Sequence, residues 1–120
     1  TGTHYNDTIA GWWLKIEALV CEGEEEATDT RRFVREYLDL TKAEERAIHW
    51  PMIRLVAASS ARWAILPIQD VLGLGSEARM NVPGHGGGNW RWQLERGILT
   101  DRHAHRLAHL MELYDRTPSD

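Results

Sequence analysis

The sequence predicts an α/β fold of which this chain contains a mostly helical portion. Apolar residues recur with helical periodicity in four or five separate stretches of the 120-residue chain. One short run, residues 64–68, is apolar on both faces and is typical of a buried parallel strand. No other stretch of any length offers this strand a parallel neighbour. The order of helix, strand, polar loop and helix therefore predicts one βα segment of a larger α/β protein.

Composition limits the partners and the compartment. One modest domain fits in 120 residues, and a net charge of -4 argues against nucleic acid, whose phosphates need a basic patch. Cys21 is the single cysteine, so we expect no disulfide within the chain. The sequence contains no signal peptide and no apolar run long enough to cross a bilayer. We therefore predict a cytoplasmic protein with neither a membrane nor a nucleic-acid partner.

The first predicted helix follows a polar opening stretch, TGTHYNDT. Asp7 or Thr8 can cap this helix, and Gly23 can end it. An apolar face with the 3.6-residue period runs along it, consisting of Ile9, Trp12, Trp13, Ile16, Leu19 and Val20. A helix with one apolar face is expected to pack against another element.

The next three helices are predicted from their capping residues and from a proline. Residues 24–26 are acidic and are interpreted as a solvated connection, with the polar residues 28–30 starting the second helix. Thr41 and Glu44 have the spacing of a capping box and open a short third helix. That helix should stop just before Pro51, which suits the first turn of a fourth. The apolar members of the second and fourth helices are Phe33, Val34, Tyr37, Leu38, Met52, Ile53, Leu55 and Val56.

Residues 64–68 allow two interpretations. They form either the buried strand or the continuation of a helix from residue 51, which Pro67 weakens. The glycine-rich residues 73–88 predict a loop. Thr100 can cap a last helix, and the tail from Thr117 onward should fray.

Ligands of α/β folds bind at the C-terminal ends of the strands and in the loops that follow them. Two loops of this chain qualify as parts of a binding site. One is the opening stretch, if residues 1–3 end a strand, and the other is the loop after Ile68.

Three stretches carry a resemblance to a known family. TGTHYNDT with the following GWW, then PIQDVLGLGSEARMNVPG, and finally NWRWQL are similar to the C-terminal part of the 4-α-glucanotransferases called amylomaltases, glycoside hydrolase family 77. The likeness covers nearly the whole chain. It implies the last βα segments of a (β/α)8 TIM barrel. By the resemblance, residues 1–8 are the active-site loop after strand seven, and residues 64–68 are strand eight. Residues 69–92 are an active-site loop with a Trp motif, and residues 101–115 are the final helix. As an isolated fragment the chain should be mostly α-helical, with the short strand buried.

The resemblance also implies a chemistry of which this chain holds one part. Retaining enzymes of this type use a carboxylate nucleophile and a carboxylic acid about 5 Å apart, and here they transfer α-1,4-glucan segments between maltooligosaccharides. In the family both groups come from earlier strands, and a complete barrel needs about 250 residues. The chain alone is therefore predicted to be inactive. The resemblance implies no cofactor and no metal.

Tyr5 is the most important departure from the family pattern. The family has Thr-His-Asp-Asn-Asp where this chain has Thr3-His4-Tyr5-Asn6-Asp7, so Tyr5 stands where the family places the aspartate that stabilises the transition state. A phenol with a pKa of about 10 is neutral at physiological pH and supplies no negative charge to the reacting sugar. Even a complete barrel with this segment should have severely reduced activity. Asp7 is two residues away and is better placed as a helix cap.

The resemblance assigns substrate binding to two further residues. His4 matches a histidine of the donor subsite, although it could instead bond to backbone near the loop. Asn81 matches the asparagine of the Arg-Met-Asn-x-Pro-Gly motif, which faces the glucan. Asp70 is interpreted as a structural residue that bonds loop backbone. Trp90 and Trp92 are interpreted as packing anchors, with sugar stacking as the alternative.

Two other patterns are weaker. The glycine run 84–88 lacks the lysine and the following Ser or Thr of a phosphate-binding loop. His105 and His109 have a spacing that can hold a metal, but without a third ligand they are better interpreted as surface residues. The competing hypothesis for the whole chain is a non-catalytic helical module, whose exposed apolar faces are hidden by self-association.

Overall fold

A computed structural model describes residues 7–80, 86–87 and 90–117 of the chain. Helices make up the regular structure of this part of the chain, in agreement with the mostly helical prediction. They are α1 (Ile9–Cys21), α2 (Glu25–Leu38), α3 (Lys42–Arg46), α4 (His49–Ala57), α5 (Ile68–Val71) and α6 (Asp101–Leu113), with one 3-10 turn at Ser76–Ala78. None of the helices in the described ranges is long and apolar enough to span a membrane.

Helix α1 begins at a side-chain cap, as predicted. The hydroxyl oxygen of Thr8 accepts a hydrogen bond from the Gly11 backbone N–H at 3.1 Å, which satisfies one of the donors left open at a helix start. Beyond the C-terminal end, Gly23 has φ +84°, a conformation that favours glycine. Trp13 lies on the buried face, so the one-sided helix packs as its periodicity indicates.

Helix α2 begins earlier than predicted, and the interpretation of residues 24–26 as a connection is wrong. Glu25 and Glu26 form the first turn of the helix, where negative side chains interact favourably with the helix dipole. The hydroxyl of Thr28 donates to the Glu24 carbonyl at 2.9 Å, one turn back along the helix. The threonines that suggested a cap therefore lie inside the helix.

Helix α3 begins at the predicted capping box, but the prediction that it stops just before Pro51 is wrong, because α3 ends at Arg46 and Trp50 already belongs to α4. The Glu44 N–H donates to the Thr41 hydroxyl at 3.1 Å, and the Thr41 N–H donates to the Glu44 carboxylate at 3.2 Å. These two bonds complete the capping box. Pro51 lies in the first turn of α4, where its missing N–H removes no helical bond. Ile53 of the same helix is fully buried.

Two apolar clusters hold the helices together. The first consists of Ile9, Trp13 and Ile48, with Trp12, Val34, Leu40 and Met52 packed against it. The second consists of Trp50, Ile53 and Val71, with Ala47, Leu66, Ile68, Leu107 and Leu110 around it. The first joins α1 to α2 and α4, and the second joins α4 to α5 and α6.

The predicted buried strand at residues 64–68 is wrong for this chain. Residues 64–67 belong to no strand in the structure, and Ile68 begins α5. Trp63 and Ile65 are 79% and 80% exposed. A parallel strand needs backbone partners on adjacent strands, and the described part of the chain contains no strand to supply them. The alternative of a continuous helix from residue 51 is also wrong, because α4 ends at Ala57.

The last helix is capped by Thr100, as predicted, and its C-terminal end is anchored. A ring nitrogen of His103, Nδ1, accepts from the Thr100 N–H at 3.1 Å. After the helix, Arg116 donates to the carbonyl oxygens of Ala57 at 2.6 Å and Ala61 at 2.7 Å. This guanidinium covers the C-terminal end of α4 and binds the backbone just after it. Residues 118–120 of the predicted frayed tail lie outside the described residues.

Candidate functional site: the junction of α1 with α5 and the 3-10 turn

The three predicted site residues, His4, Tyr5 and Asn81, lie outside the described residues. The structure does describe the residues that adjoin these segments in the sequence. Residues 1–6 join the described part at Asp7, and residues 81–85 join it at Met80. The geometry of the site therefore starts from the residues around these two points.

Asp70 connects the start of α1 to α5. Its carboxylate oxygen Oδ1 accepts a hydrogen bond from the Ile9 backbone N–H at 2.8 Å, and the side chain is only 3% exposed. A negative group at a helix N-terminus interacts favourably with the helix dipole, and a bond to a charged acceptor is stronger than a neutral one. Asp70 is a structural residue that bonds backbone, as interpreted, although this bonded backbone belongs to α1 and not to its own loop.

Asp7 makes a second connection between the same two regions. Its oxygen Oδ1 accepts from the Thr8 N–H at 2.8 Å, and Oδ2 accepts from the Ser76 hydroxyl at 2.8 Å. The Asp7–Ser76 bond joins residues 69 positions apart in the sequence. Asp7 therefore lies beside the cap that Thr8 provides and links it to the 3-10 turn.

Gly11 allows the two regions to approach this closely. A Cβ atom at this position would lie 2.6 Å from Asp7 Oδ1 and 2.9 Å from the Ser76 backbone nitrogen. Such distances are too short for real Cβ contacts, and backbone is not easily displaced. Sequence reasoning did not identify this role. The available signal was a glycine inside an apolar helical stretch, a position at which glycine costs stability unless packing requires it.

The segment between α5 and the predicted loop is held by its own contacts. The Gln69 side-chain amide donates to the Ala78 carbonyl at 3.3 Å, and Ala78 is fully buried. The Trp90 N–H donates to the Met80 carbonyl, so residues 80 and 90 lie side by side. Trp90 is 55% exposed, so in this chain it is not the buried packing anchor that was predicted, whereas Trp92 is half-buried.

The His49 ring packs closely against Gly73, in the backbone that follows α5. A Cβ atom on Gly73 would lie 2.6 Å from the Cε1 atom of the His49 ring, and Gly73 has φ +69°. Burial lowers the pKa of His49, and the positive charge of Arg106 acts in the same direction, whereas Asp70 opposes it. The imidazole is therefore neutral at neutral pH.

His105 and His109 lie exposed on α6, in agreement with their interpretation as surface residues. Within residues 7–80, 86–87 and 90–117, no group of three or more His, Cys, Asp or Glu side chains has an arrangement that could hold a metal ion.

The arrangement of the helices matches part of an amylomaltase, a TIM-barrel enzyme. The solved structure of the amylomaltase from Streptococcus agalactiae in complex with acarbose superposes with a TM-score of 0.82 at 26% sequence identity. The match covers 98% of this chain and 21% of that one. A sequence profile described as 4-alpha-glucanotransferase, glycoside hydrolase family 77, matches residues 1–100. The chain therefore belongs to the glycoside hydrolase family 77 4-α-glucanotransferases, and the resemblance predicted from its motifs is confirmed.

Relatives that are named 4-alpha-glucanotransferase give the same result. The 4-alpha-glucanotransferase of Synechocystis is 42% identical over 116 residues, and that of Thermus thermophilus is 40% identical over 119. The chloroplastic/amyloplastic 4-alpha-glucanotransferase of Arabidopsis thaliana is 39% identical over 119 residues. Each alignment covers 97% of this chain but only 21%, 22% and 19% of the respective relative. The chain spans about a fifth of the length of these relatives.

Proposed function

We propose that this chain is the C-terminal part of a 4-α-glucanotransferase that transfers α-1,4-glucan segments between maltooligosaccharides by a retaining mechanism. The observation that carries the proposal is the match of nearly the whole chain to about a fifth of enzymes with this activity. The junction formed by Asp7, Asp70 and Ser76 supports it, because it holds together the regions from which both predicted site segments leave.

In this proposal the chain supplies donor-subsite residues and not the reacting carboxylates. His4 and Asn81 hydrogen-bond hydroxyls of the donor sugar, while the nucleophile and the general acid come from the rest of a complete barrel. Tyr5 replaces the aspartate that the resemblance places next to the reacting sugar. A neutral phenol leaves the developing positive charge of the sugar without that carboxylate. We therefore expect the enzyme to lose transition-state stabilisation on the order of 3 kcal/mol.

The segment before α5, residues 64–67, fits strand eight of the complete barrel. These residues belong to no helix, and Ile65 within the segment and Trp63 just before it are exposed. In the proposed barrel, neighbouring strands would pair with its backbone and helices would cover its apolar side chains. The missing partners explain why the same residues form no strand in the isolated chain.

The test is to build the complete enzyme around this segment. Residues 1–120 replace the matching region of the Thermus thermophilus relative, and glucose released from maltotriose is measured. We expect a weakly active chimera, a Tyr5→Asp variant at least tenfold more active, and no activity from the 120-residue chain alone. Tyr5→Phe serves as the matched control, since it removes the hydroxyl without adding a charge. Activity that is the same with Tyr, Phe and Asp at position 5 would contradict the assigned role.

A second candidate function, a self-associating helical module without activity, is favoured by one observation. Large apolar side chains remain exposed on several elements, among them Leu14, Phe33, Tyr37, Trp63 and Ile65. The rings of Phe33 and Tyr37 stack with centroids 5.7 Å apart on the open face of α2. Patches of this kind favour association. Sedimentation should then show dimers or larger species that dissociate in a Phe33→Ser, Tyr37→Ser variant, whereas a monomer at all concentrations would contradict this function.

We propose a cytoplasmic location, without nucleic-acid or membrane partners, from composition alone. The net charge of -4 opposes binding to phosphate backbones. The relatives include bacterial proteins and plant proteins named for plastids. Fractionation of cells that express the native gene would test the location, and recovery in a membrane or secreted fraction would overturn it.

A further inference from the structure

We propose that a cleft between α1, α2 and α3 binds a small hydroxylated anion that carries a phosphate or a carboxylate. The cleft has a volume of about 620 Å³, which lies within the range of small-molecule sites. All three helices contribute side chains to its lining. The inference does not rest on the proposed function, because binding in this cleft requires no glucan transfer.

Trp13, in the wall of the cleft, has a buried hydrogen-bond donor without an acceptor. The residue lines the cleft and is only 3% exposed. Its one polar side-chain atom, Nε1, is buried and has no hydrogen-bond partner in the part of the chain that the structure describes. An indole N–H only donates, and a buried donor that stays unpaired destabilises the folded state. A ligand of this cleft is therefore expected to present an acceptor to Trp13.

The charged side chains of the cleft favour an anion. Arg35 donates to one Glu45 carboxylate oxygen from Nε at 2.9 Å and from Nη2 at 2.6 Å, so these two charges neutralise each other. Lys42 and Arg46 are exposed and form no ion pair within the described ranges. Glu17 adds a second carboxylate to the lining. Two cations against the Glu17 carboxylate leave a positive balance, which attracts an oxyanion.

These groups together define the chemistry of the ligand. An Arg guanidinium and a Lys ammonium both bind phosphate or carboxylate oxygens, and such charge-assisted bonds are stronger than neutral ones. The Glu17 carboxylate only accepts hydrogen bonds, so it requires a hydroxyl on the ligand. A small sugar with one acidic group meets both requirements, because its oxyanion pairs with Lys42 and Arg46 while its hydroxyls serve Glu17 and Trp13.

Nuclear magnetic resonance of the 120-residue chain tests the proposal with three probes built on one sugar ring. Glucose 6-phosphate carries a phosphate, glucuronate carries a carboxylate and glucose carries no charge, and each is titrated at constant ionic strength. The indole N–H signals of the six tryptophans are assigned and followed. We expect at least one anion to shift the Trp13 signal until it saturates, and glucose at the same concentrations to leave it in place.

The anion with the lower Kd identifies whether a phosphate or a carboxylate fits the cleft. A Trp13 signal that moves with neither anion would overturn the proposal. An equal shift with glucose would overturn it as well, since the cations of the cleft would then contribute nothing to recognition.

A double variant, Lys42→Gln with Arg46→Gln, tests the assigned cations. We expect it to raise the Kd of the tighter anion at least about tenfold, because two charge-assisted contacts are lost. Lys15→Gln with Arg102→Gln is the matched control, since both residues are exposed, neither lines the cleft, and the net charge changes by the same amount. The control should keep the Kd within about twofold of the parent. Equal Kd values in the two double variants would assign any binding to general charge and overturn the site.

Isothermal titration calorimetry of the Thermus thermophilus chimera shows whether the cleft also binds in the complete enzyme. We expect a site for the tighter anion that disappears in the double variant of Lys42 and Arg46 and persists in the control. Binding to the 120-residue chain without such a site in the chimera would overturn the cleft as a site of the enzyme. The measurement reads heat of binding and not glucan transfer, so its result is independent of the proposed function.

Discussion

Replacing Gly11 with alanine should destabilise the protein, although alanine is the better helix former. In a solvent-exposed helix the change would stabilise by about 1 kcal/mol. Here the added Cβ would lie 2.6 Å from Asp7 Oδ1 and 2.9 Å from the Ser76 backbone nitrogen, so α1 and the 3-10 turn must separate. Overpacking of this kind costs about 1–3 kcal/mol, and losing the Asp7–Ser76 bond adds about 1–2 kcal/mol. The net expected loss is about 1–4 kcal/mol.

Thermal unfolding followed by circular dichroism provides the assay. A loss of 1–4 kcal/mol corresponds to a decrease in Tm of roughly 4–16 °C for a chain of this size. Ala18→Gly, at an exposed position of the same helix, sets the scale of helix propensity and should cost about 1 kcal/mol. In a Ser76→Ala background the penalty of Gly11→Ala should decrease, because the Ser76 hydroxyl oxygen, which lies nearest to the added Cβ, has been removed. A Gly11→Ala variant as stable as the parent or more stable would refute the close approach.

Three further predictions follow from single contacts. Asp70→Asn should lower the free energy of unfolding, measured by urea denaturation, by about 1–3 kcal/mol, because the Ile9 N–H loses a charged acceptor in a buried site. A change below about 0.5 kcal/mol would show that the charge of Asp70 contributes nothing to stability. Because the pKa of His49 is lowered in the folded protein, the unfolded chain binds a proton at this imidazole more readily, and the free energy of unfolding should fall as the pH decreases from above 6.5 through the lowered pKa. His49→Gln should make the free energy of unfolding depend less on pH in this range. An equal pH dependence in both proteins would assign it to other groups. Trp63→Ser should change the free energy of unfolding of the 120-residue chain by less than about 0.5 kcal/mol, because Trp63 is 79% exposed. The same substitution should destabilise the Thermus thermophilus chimera by about 2 kcal/mol or more. Equal effects in the two proteins would argue against residue 63 becoming buried beside strand eight.

Local signals predicted most of the helical architecture. The Thr8 cap, the capping box of Thr41 and Glu44, and the Thr100 cap each depend on contacts within four residues, and all three are present. The start of α2 was misplaced for a local reason as well. Threonines bond to backbone both at caps and inside helices, so the sequence around Thr28 does not distinguish the two.

The sequence by itself determined the family of this protein, because motif residues can be identified without knowledge of what surrounds them. The departure at Tyr5 stays a prediction. The tertiary structure decided two matters that involve residues far apart in the chain. It showed that residues 64–67 are not a strand here, since a strand exists only when other strands bond to it. It also brought Asp7 to Ser76, and Asp70 to Ile9, across more than sixty positions, as the bonds between them show. No local pattern encodes such contacts, because they depend on how the packed helices place distant backbone atoms.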